Sequence, residues 1–342
     1  MRWLIVTDDF PPLEGGVATW ASVVAGALHD AGDQVTVLAR ARDGLGADAE
    51  GHPMPYEVVG VPGPSFGRRG GLWTALKAEG YLRRVDRVLA TTWPVATWLS
   101  GRCARVGVEL QVAFHGSDLT RPIAARREEA LRRVCGIASR RWVVSRFLGG
   151  SLEARDFGVD VLPAPVDVGP PRRAETLGRL VFVGRATGLK GGDRFVRIVA
   201  ASGLPGTVIG DGPELESWKQ LAAECGAEVT FTGRLSRHRV LAELGQHDLL
   251  LLLPRYDADG SGGEGFGLAL VEAAALGVAV AGCDTGGVLE ALGPGLVLSD
   301  PDHARACWER LSGWWNPSRG DACRRWVAAN HGTARVVSAL RG

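Results

Sequence analysis

Lysine is almost missing from this chain: Lys77, Lys190 and Lys219 are the only three among 39 basic residues, the rest being arginine. Each lysine is therefore worth examining singly. Long hydrophobic runs are also missing. None approaches the roughly 20 apolar residues that cross a bilayer, and the opening Met1–Asp9 stretch runs into charge too soon for a secretory leader. Cys103, Cys135, Cys225, Cys283, Cys307 and Cys323 show neither C-x-x-C nor Cys/His spacing. That pattern excludes a zinc ribbon and a disulfide scaffold, and it suits reduced thiols in a cytoplasmic protein. A net charge of +1 gives no broad affinity for nucleic acid. What is present is an ordinary globular composition, 46% hydrophobic and 23% charged, over 342 residues, a length that suits two domains.

Short apolar β-rich runs alternate with helical patterns from end to end. Strands are expected at Trp3–Thr7, Gln34–Ala39, Tyr56–Val61, Arg87–Thr91, Leu110–Phe114, Trp142–Ser145 and Val159–Leu162. A second series follows at Leu180–Gly184, Thr207–Gly210, Val229–Thr232, Leu249–Leu253, Val278–Ala281 and Leu296–Leu298. Helices are expected at Val17–Ala31, Trp73–Val85, Ala124–Ala138, Gly192–Ala201, Pro213–Cys225, His238–Gly245 and Leu268–Leu276. Unbroken runs such as Leu249–Leu253 mark strands buried on both faces, hence parallel sheets under helices and an α/β fold. The Pro-rich stretch Pro163–Arg173 breaks the rhythm and reads as a linker. The expected organisation is a domain over 1–165, a linker over 166–178, a second domain over 179–325 and a tail over 326–342. Open parallel sheets bind ligands at the carboxyl ends of their strands, so a cleft between two such domains is the expected site.

The most informative segment is Gly262–Gly277. A Gly-rich loop carries Glu264, and Glu272 follows eight residues later inside an Ala/Leu/Val helix that Gly277 stops. At ~1.5 Å per residue the two carboxylates lie at most ~12 Å apart along the helix. The helix start between them favours an anion. Hydroxyls, anion, hydroxyls is the layout of a nucleotide diphosphate sugar; read blandly, the same segment is a loop before a core helix with both glutamates solvated. Four further segments sit at strand ends. Gly15-Gly16 lies at the first strand-to-helix turn, where backbone can approach a phosphate. His115 ends the fifth strand. Arg185 and Lys190 flank glycines after the eighth strand and suit a diphosphate, although no P-loop spacing is present. Gly210-Asp211-Gly212-Pro213 makes a turn against which a nucleobase could lie.

In this order the motifs resemble those of the retaining glycosyltransferases of family 4, which have the GT-B fold of two Rossmann-like parallel-sheet domains facing across a cleft. The resemblance rests on Gly15-Gly16, His115-Gly116-Ser117-Asp118, Val144-Ser145-Arg146-Phe147, Val183-Gly184-Arg185 with Lys190-Gly191, Gly210-Asp211-Gly212-Pro213, Phe231-Thr232-Gly233-Arg234, the Glu264/Glu272 pair, and Gly286-Gly287 with Glu290. One departure is Pro163-Ala164-Pro165-Val166-Asp167, where the family usually reads Pro-Asn-Gly-Val-Asp. The resemblance implies that Gly15 and Gly16 approach the donor phosphate, that Arg185 and Lys190 neutralise the departing diphosphate, and that Glu272 binds the ribose. It implies further that Glu264, with His115, contacts the transferred sugar. Phe266, Gly267 and Leu268 would line the site with backbone N–H groups, and Asp211 and Arg234 would flank the base. It implies transfer with retained configuration to an acceptor hydroxyl on a carbohydrate, lipid-linked or small-molecule acceptor, without cofactor or metal. It also implies a tail that crosses back to the first domain.

Two features pull elsewhere. Asp257-Ala258-Asp259 and Asp300-Pro301-Asp302 match a short metal-binding D-x-D pattern but read as surface loops. Arginines between Arg121 and Arg146, with Arg68, Arg69, Lys77, Arg83, Arg84 and Arg87, offer a basic face for peripheral contact with anionic lipid, near Leu72 and Trp73. Other readings of the same residues are a GT-B epimerase or hydrolase of the nucleotide sugar, and a catalytically silent nucleotide-sugar-binding protein.

Overall fold

The structure is a computed structural model. It describes the chain apart from residues 14, 48–50, 64–69, 117–118, 120–122, 163, 171–173, 259 and 261, and the side chains of 70–73. It divides into two compact units, one made of Met1–Pro165 with Thr333–Gly342 and the other of Val166–Gly332.

The first unit runs β1 (Arg2–Val6), α1 (Gly16–Asp30), β2 (Gln34–Arg40), β3 (Glu57–Val61), α2 (Gly70–Leu82), β4 (Arg87–Ala90), α3 (Trp93–Val106), β5 (Glu109–Phe114), α4 (Ala125–Ile137), β6 (Arg140–Val143), α5 (Arg146–Glu153) and β7 (Asp160–Val161). Its sheet has the order β3-β2-β1-β4-β5-β6-β7. Every pairing is parallel. Trp3, Leu4, Ile5 and Val6 are fully buried, as a central strand covered on both faces requires.

The second unit runs β8 (Leu180–Val183), α6 (Gly192–Ser202), β9 (Gly206–Ile209), α7 (Leu215–Cys225), β10 (Val229–Gly233), α8 (Arg237–Leu244), β11 (Leu249–Leu252), α9 (Leu268–Ala275), β12 (Ala279–Gly282), α10 (Val288–Leu292), β13 (Leu296–Val297), α11 (Ala304–Trp314) and α12 (Arg319–His331). Its parallel sheet has the order β10-β9-β8-β11-β12-β13. The four leucines of β11 are buried between β8 and β12. Phe182 on β8 meets the rings of Phe195 and Trp218 at 6.0 and 5.5 Å, and these two cover one face of the sheet.

Each expected strand is present among the described residues, to within two residues at either end. The tail differs from expectation. The return to the first unit begins at Thr333, not at residue 326, because α12 packs on α9 and β12 of the second unit. Val166 and Gly169, expected in the linker, donate backbone hydrogen bonds to the carbonyls of His331 and Ala275 and so belong to the second unit. The last helix, α13 (Thr333–Arg341), buries Val336, Val337 and Leu340. Arg341 pairs with Asp33 at 2.8 Å, and Gln111 Nε2 donates to the Leu340 carbonyl at 3.1 Å.

Candidate active site

Strand order in the second sheet reverses between β8 and β11, so the loops leaving their carboxyl ends diverge and open a crevice there. The β8 loop carries Arg185 and Lys190, and the β11 loop carries Glu264. Lys190 ends a 3-10 turn, Gly188–Lys190, that lies flush on the exit of β11. At Gly191, with φ 71°, an added Cβ would stand 1.9 Å from the Leu253 carbonyl oxygen, so only glycine allows this approach. Arg255 locks the turn: its N–H donates to the Leu189 carbonyl at 2.8 Å, and its guanidinium grips both Asp193 oxygens at 2.7 Å. Held in this way, Lys190 Nζ donates to Glu264 Oε2 at 2.5 Å. The ammonium stays 32% exposed and the carboxylate 14%, which leaves the cation reachable by an incoming anion.

Glu264 is fixed from behind by the Gly286-Gly287 turn. Gly287 N–H donates to the Glu264 carbonyl at 2.8 Å, and a Cβ at either glycine would fall within 2.3 Å of the Glu264 or Gly265 carbonyl oxygen. The Tyr256 hydroxyl accepts from the Gly286 N–H at 2.8 Å. Gly267, in the left-handed region at φ 99°, then turns the chain into α9. Leu268, half-buried, opens the helix, whose free N–H groups offer a partial positive charge beside Lys190 and Glu264. Glu272 lies on the same helix and is buried. Burial pushes its carboxyl above the usual range, and the adjoining Arg237 guanidinium opposes that shift through its charge and a hydrogen bond.

The other expected residues of this unit follow the carboxyl ends of β8, β9 and β10. Arg185 and Arg234 are exposed at the ends of β8 and β10. Asp211, after β9, is exposed and accepts from the Gly212 N–H at 2.7 Å. Phe266 is different: its ring is buried against His331 at 5.6 Å, with Trp326 on the other contact of His331 at 5.1 Å. Only its backbone is left for a ligand.

Sequence reasoning passed over Arg237, Tyr256, Arg255 and Asp193. Arg237 has a sequence signal, since Arg234, Arg237 and Arg239 crowd the start of α8, but its partner lies 35 residues away. The D-x-D decoys resolve differently. Asp302 is held below the usual carboxylate range by hydrogen bonding to Arg194 at 2.5 Å, and Arg255 adds to this. Its charge is already neutralised by two guanidinium groups. Asp259 lies outside the described residues. Among the described residues no three His, Cys, Asp or Glu gather into a metal-sized cluster.

In the first unit the strand order reverses between β1 and β4. Gly15 caps α1 at φ 148°, and no atom stands within 4 Å of a Cβ placed at Gly15 or Gly16, so both glycines face open space. His115 follows β5 and packs edge-on against Trp20 of α1, ring centroids 4.8 Å apart. The residue is half-exposed, yet its Nε2 is shut off from solvent. Burial pushes the imidazole down to about 4, against a smaller opposing pull from a backbone hydrogen bond at Thr91, so His115 is neutral near pH 7. Ser117 and Asp118 of the same motif, and the side chains of Leu72 and Trp73, lie outside the described residues. Among the described residues no helix is long and apolar enough to cross a membrane.

Known proteins match this chain along its length. Residues 14–169 match the family model Glycosyltransferase Family 4, and residues 169–328 match Glycosyl transferases group 1. A GDP-mannose-dependent alpha-(1-6)-phosphatidylinositol monomannoside mannosyltransferase of Mycobacterium tuberculosis is 28% identical over 330 residues, covering 84% of this chain and 82% of its own. A GDP-mannose-dependent monoacylated alpha-(1-6)-phosphatidylinositol monomannoside mannosyltransferase of Corynebacterium glutamicum is 25% identical, covering 88% and 85%. Among solved structures, Anabaena Alr3699/HepE in complex with UDP superposes with a TM-score of 0.79 at 15% identity, over 100% of this chain and 98% of the other. AviGT4, a glycosyltransferase involved in avilamycin A biosynthesis, superposes with a TM-score of 0.69 at 20% identity, over 99% and 96%. The shared fold is GT-B, two Rossmann-like parallel-sheet domains.

Proposed function

Because the chain belongs to glycosyltransferase family 4 and is a glycosyltransferase that uses a nucleotide sugar, we propose that it is a retaining mannosyltransferase moving mannose from GDP-mannose to a hydroxyl of a lipid-linked acceptor, without a metal ion. The donor and acceptor follow the names of its mannosyltransferase relatives. The observation that carries the site is the Lys190–Glu264 contact in front of α9, which sets a cation for the diphosphate beside a carboxylate for sugar hydroxyls.

Lys190, Arg185 and the α9 N-terminus take up negative charge as the bond between the anomeric carbon and the diphosphate oxygen breaks. That charge grows in the transition state, so these groups act chiefly on turnover. The acceptor oxygen bonds to the anomeric carbon on the face the diphosphate leaves, and its proton passes to a phosphate oxygen of the leaving group. Glu264, released from Lys190 by the incoming diphosphate, accepts hydrogen bonds from the mannose hydroxyls and orients the ring. Backbone N–H groups of Phe266, Gly267 and Leu268 meet the donor, and Gly15 and Gly16 approach its phosphate. Glu272, whose charged form Arg237 favours against burial, accepts from the ribose hydroxyls, and Asp211 and Arg234 flank the base. His115, neutral, contacts the sugar as a hydrogen-bonding group and not as a cation. One guanidinium and one ammonium side chain, with a helix N-terminus, supply the positive charge that a divalent cation brings to other transferases. The basic helices of the first unit make peripheral contact with anionic lipid in this reading.

A thermal-shift series against GDP-mannose, UDP-glucose and ADP-glucose tests the donor. A ligand at 100 times its Kd adds about 2.7 kcal/mol of stability. GDP-mannose should raise the melting temperature and the others should not; stabilisation by UDP-glucose alone would replace mannose transfer with glucose transfer.

A further inference from the structure

The arginines of α4 have a second setting that the transfer reaction does not use. Helices α3 and α4 flank a groove of about 1090 Å³, just above the roughly 300–1,000 Å³ typical of ligand sites. Both helices follow parallel strands, so they run side by side in the same sense, and Arg127 of α4 stacks over Trp93 of α3 at 5.0 Å. One end of the groove is therefore lined by Trp93, Arg126 and Arg127. Arg105 lines the other end, roughly 18 Å beyond Trp93 at ~1.5 Å per residue along α3, and Arg133 lies about 10 Å beyond Arg126 along α4. Between the two ends lies Trp98, half-buried.

Not all of this charge is spent within the protein. Arg102, also on the wall, is taken by Glu79 at 2.6 Å, and Arg133 pairs with Glu129 at 3.3 Å. Among the described residues Arg105 and Arg126, one near each end and both exposed, have no ion-pair partner. Arginine is a planar fork suited to phosphoryl oxygens, and an indole presents a flat apolar face suited to a sugar ring. Cation, ring-sized apolar surface, cation is the reverse image of a carbohydrate phosphorylated at both ends.

We propose that the α3–α4 groove binds a bisphosphorylated carbohydrate, with one phosphoryl group at Arg126/Arg127, the other at Arg105, and the ring over Trp98. Long arginine side chains reaching inward from both ends shorten the span to that of a single ring. The ligand is a soluble sugar bisphosphate or the phosphorylated ring of a lipid headgroup; the recognition chemistry is the same. The site is independent of the donor site, and its binding does not require that the reaction above be correct.

Isothermal titration of the full chain with glucose 1,6-bisphosphate, glucose 6-phosphate and glucose tests it. The bisphosphate should bind at least about tenfold tighter than the monophosphate, since each charge-assisted contact adds independently. Arg105→Glu should collapse that ratio toward one, Arg126→Glu should weaken both phosphates, and Lys190→Ala should change neither. Vesicles of phosphatidylcholine with phosphatidylinositol 4-phosphate supply the second source. Capture there, lost in Arg105→Glu and stronger than on phosphatidylglycerol vesicles of equal charge, assigns the ligand to a headgroup. Equal binding of mono- and bisphosphate, a ratio untouched by Arg105→Glu, loss of binding in Lys190→Ala, or no binding to any probe would each overturn the proposal. Circular dichroism of the charge-reversal variants, whose altered residues are exposed, verifies that they remain folded.

Discussion

Lys190 and Glu264 come from loops 74 residues apart and meet at 2.5 Å. If the lysine serves the leaving diphosphate, Lys190→Ala should cost turnover about 2.7–4 kcal/mol of activation free energy, the usual loss for one such donor, with a smaller change in donor KM. Steady-state kinetics separates the two, and a pure KM effect would reassign the lysine to ground-state binding. Glu272 offers a pH test. Its folded-state pKa is raised, so the folded chain takes up a proton at a higher pH than an unfolded glutamate, near 4.3, would. In its proposed role the neutral acid would accept ribose hydroxyls poorly. Donor KM should therefore rise as pH falls, beginning above the ordinary glutamate range, and Arg237→Met should move that rise to still higher pH. His115 has the opposite sign: its pKa is lowered from 6.5 to about 4, so between those values the unfolded chain binds the extra proton. Stability attributable to His115 is complete above about 6.5 and is lost as pH falls toward 4, a slope that His115→Gln should flatten in pH-dependent melts. The glutamate pair and Lys190 were legible in the sequence because each sits in a short local motif. Arg237, Arg255 and Asp193 were not, because their meaning lies in partners 35 and 62 residues away that only the fold brings near.

At the scale of elements, the site depends on how closely two loops approach. Gly286→Ala would place a methyl group 2.1 Å from the Glu264 carbonyl oxygen in a backbone with φ 64°. The substitution must push Glu264 off Lys190, while the sheet and α9 stay packed. Turnover should fall by about 100-fold, the scale of a 1 Å misplacement, whereas far-ultraviolet circular dichroism should be unchanged. Unaltered turnover would mean that the loop position is not critical. The elements show why strands were readable and some helices were not. Runs such as Leu249–Leu252 announce a buried strand unaided. By contrast α3 begins Trp93-Pro94, where proline reads as a breaker although it fits a first helical turn. Helix α5 carries Gly149 and Gly150, which weaken any local helical signal, and packing supplies what propensity lacks. Five-residue α10 is too short for a period to show.

At the scale of the whole molecule, α13 ties the end of the chain into the first unit, where Val336, Val337 and Leu340 are buried and Arg341 meets Asp33. That acidic partner feels two opposing effects: burial raises its carboxyl, but hydrogen bonds and charge from Arg341 and the Met1 amino group hold it below the usual range. Leu340→Ala should cost about 2–5 kcal/mol. Melting of the first unit should fall by roughly 4–20 °C at 2–4 °C per kcal/mol. An unchanged melting profile would detach α13 from the stability of that unit. The central claim is transfer with retention through the Lys190–Glu264 site, and the most direct measurement is the anomeric configuration of the product. Nuclear magnetic resonance should follow GDP-mannose, whose mannose is α-linked, with a lipid-linked mannoside acceptor in excess chelator. The wild-type chain should give an α-linked mannoside, and Lys190→Ala almost none. A β-linked product, free mannose formed without acceptor, or complete loss of activity in chelator restored by magnesium would contradict it.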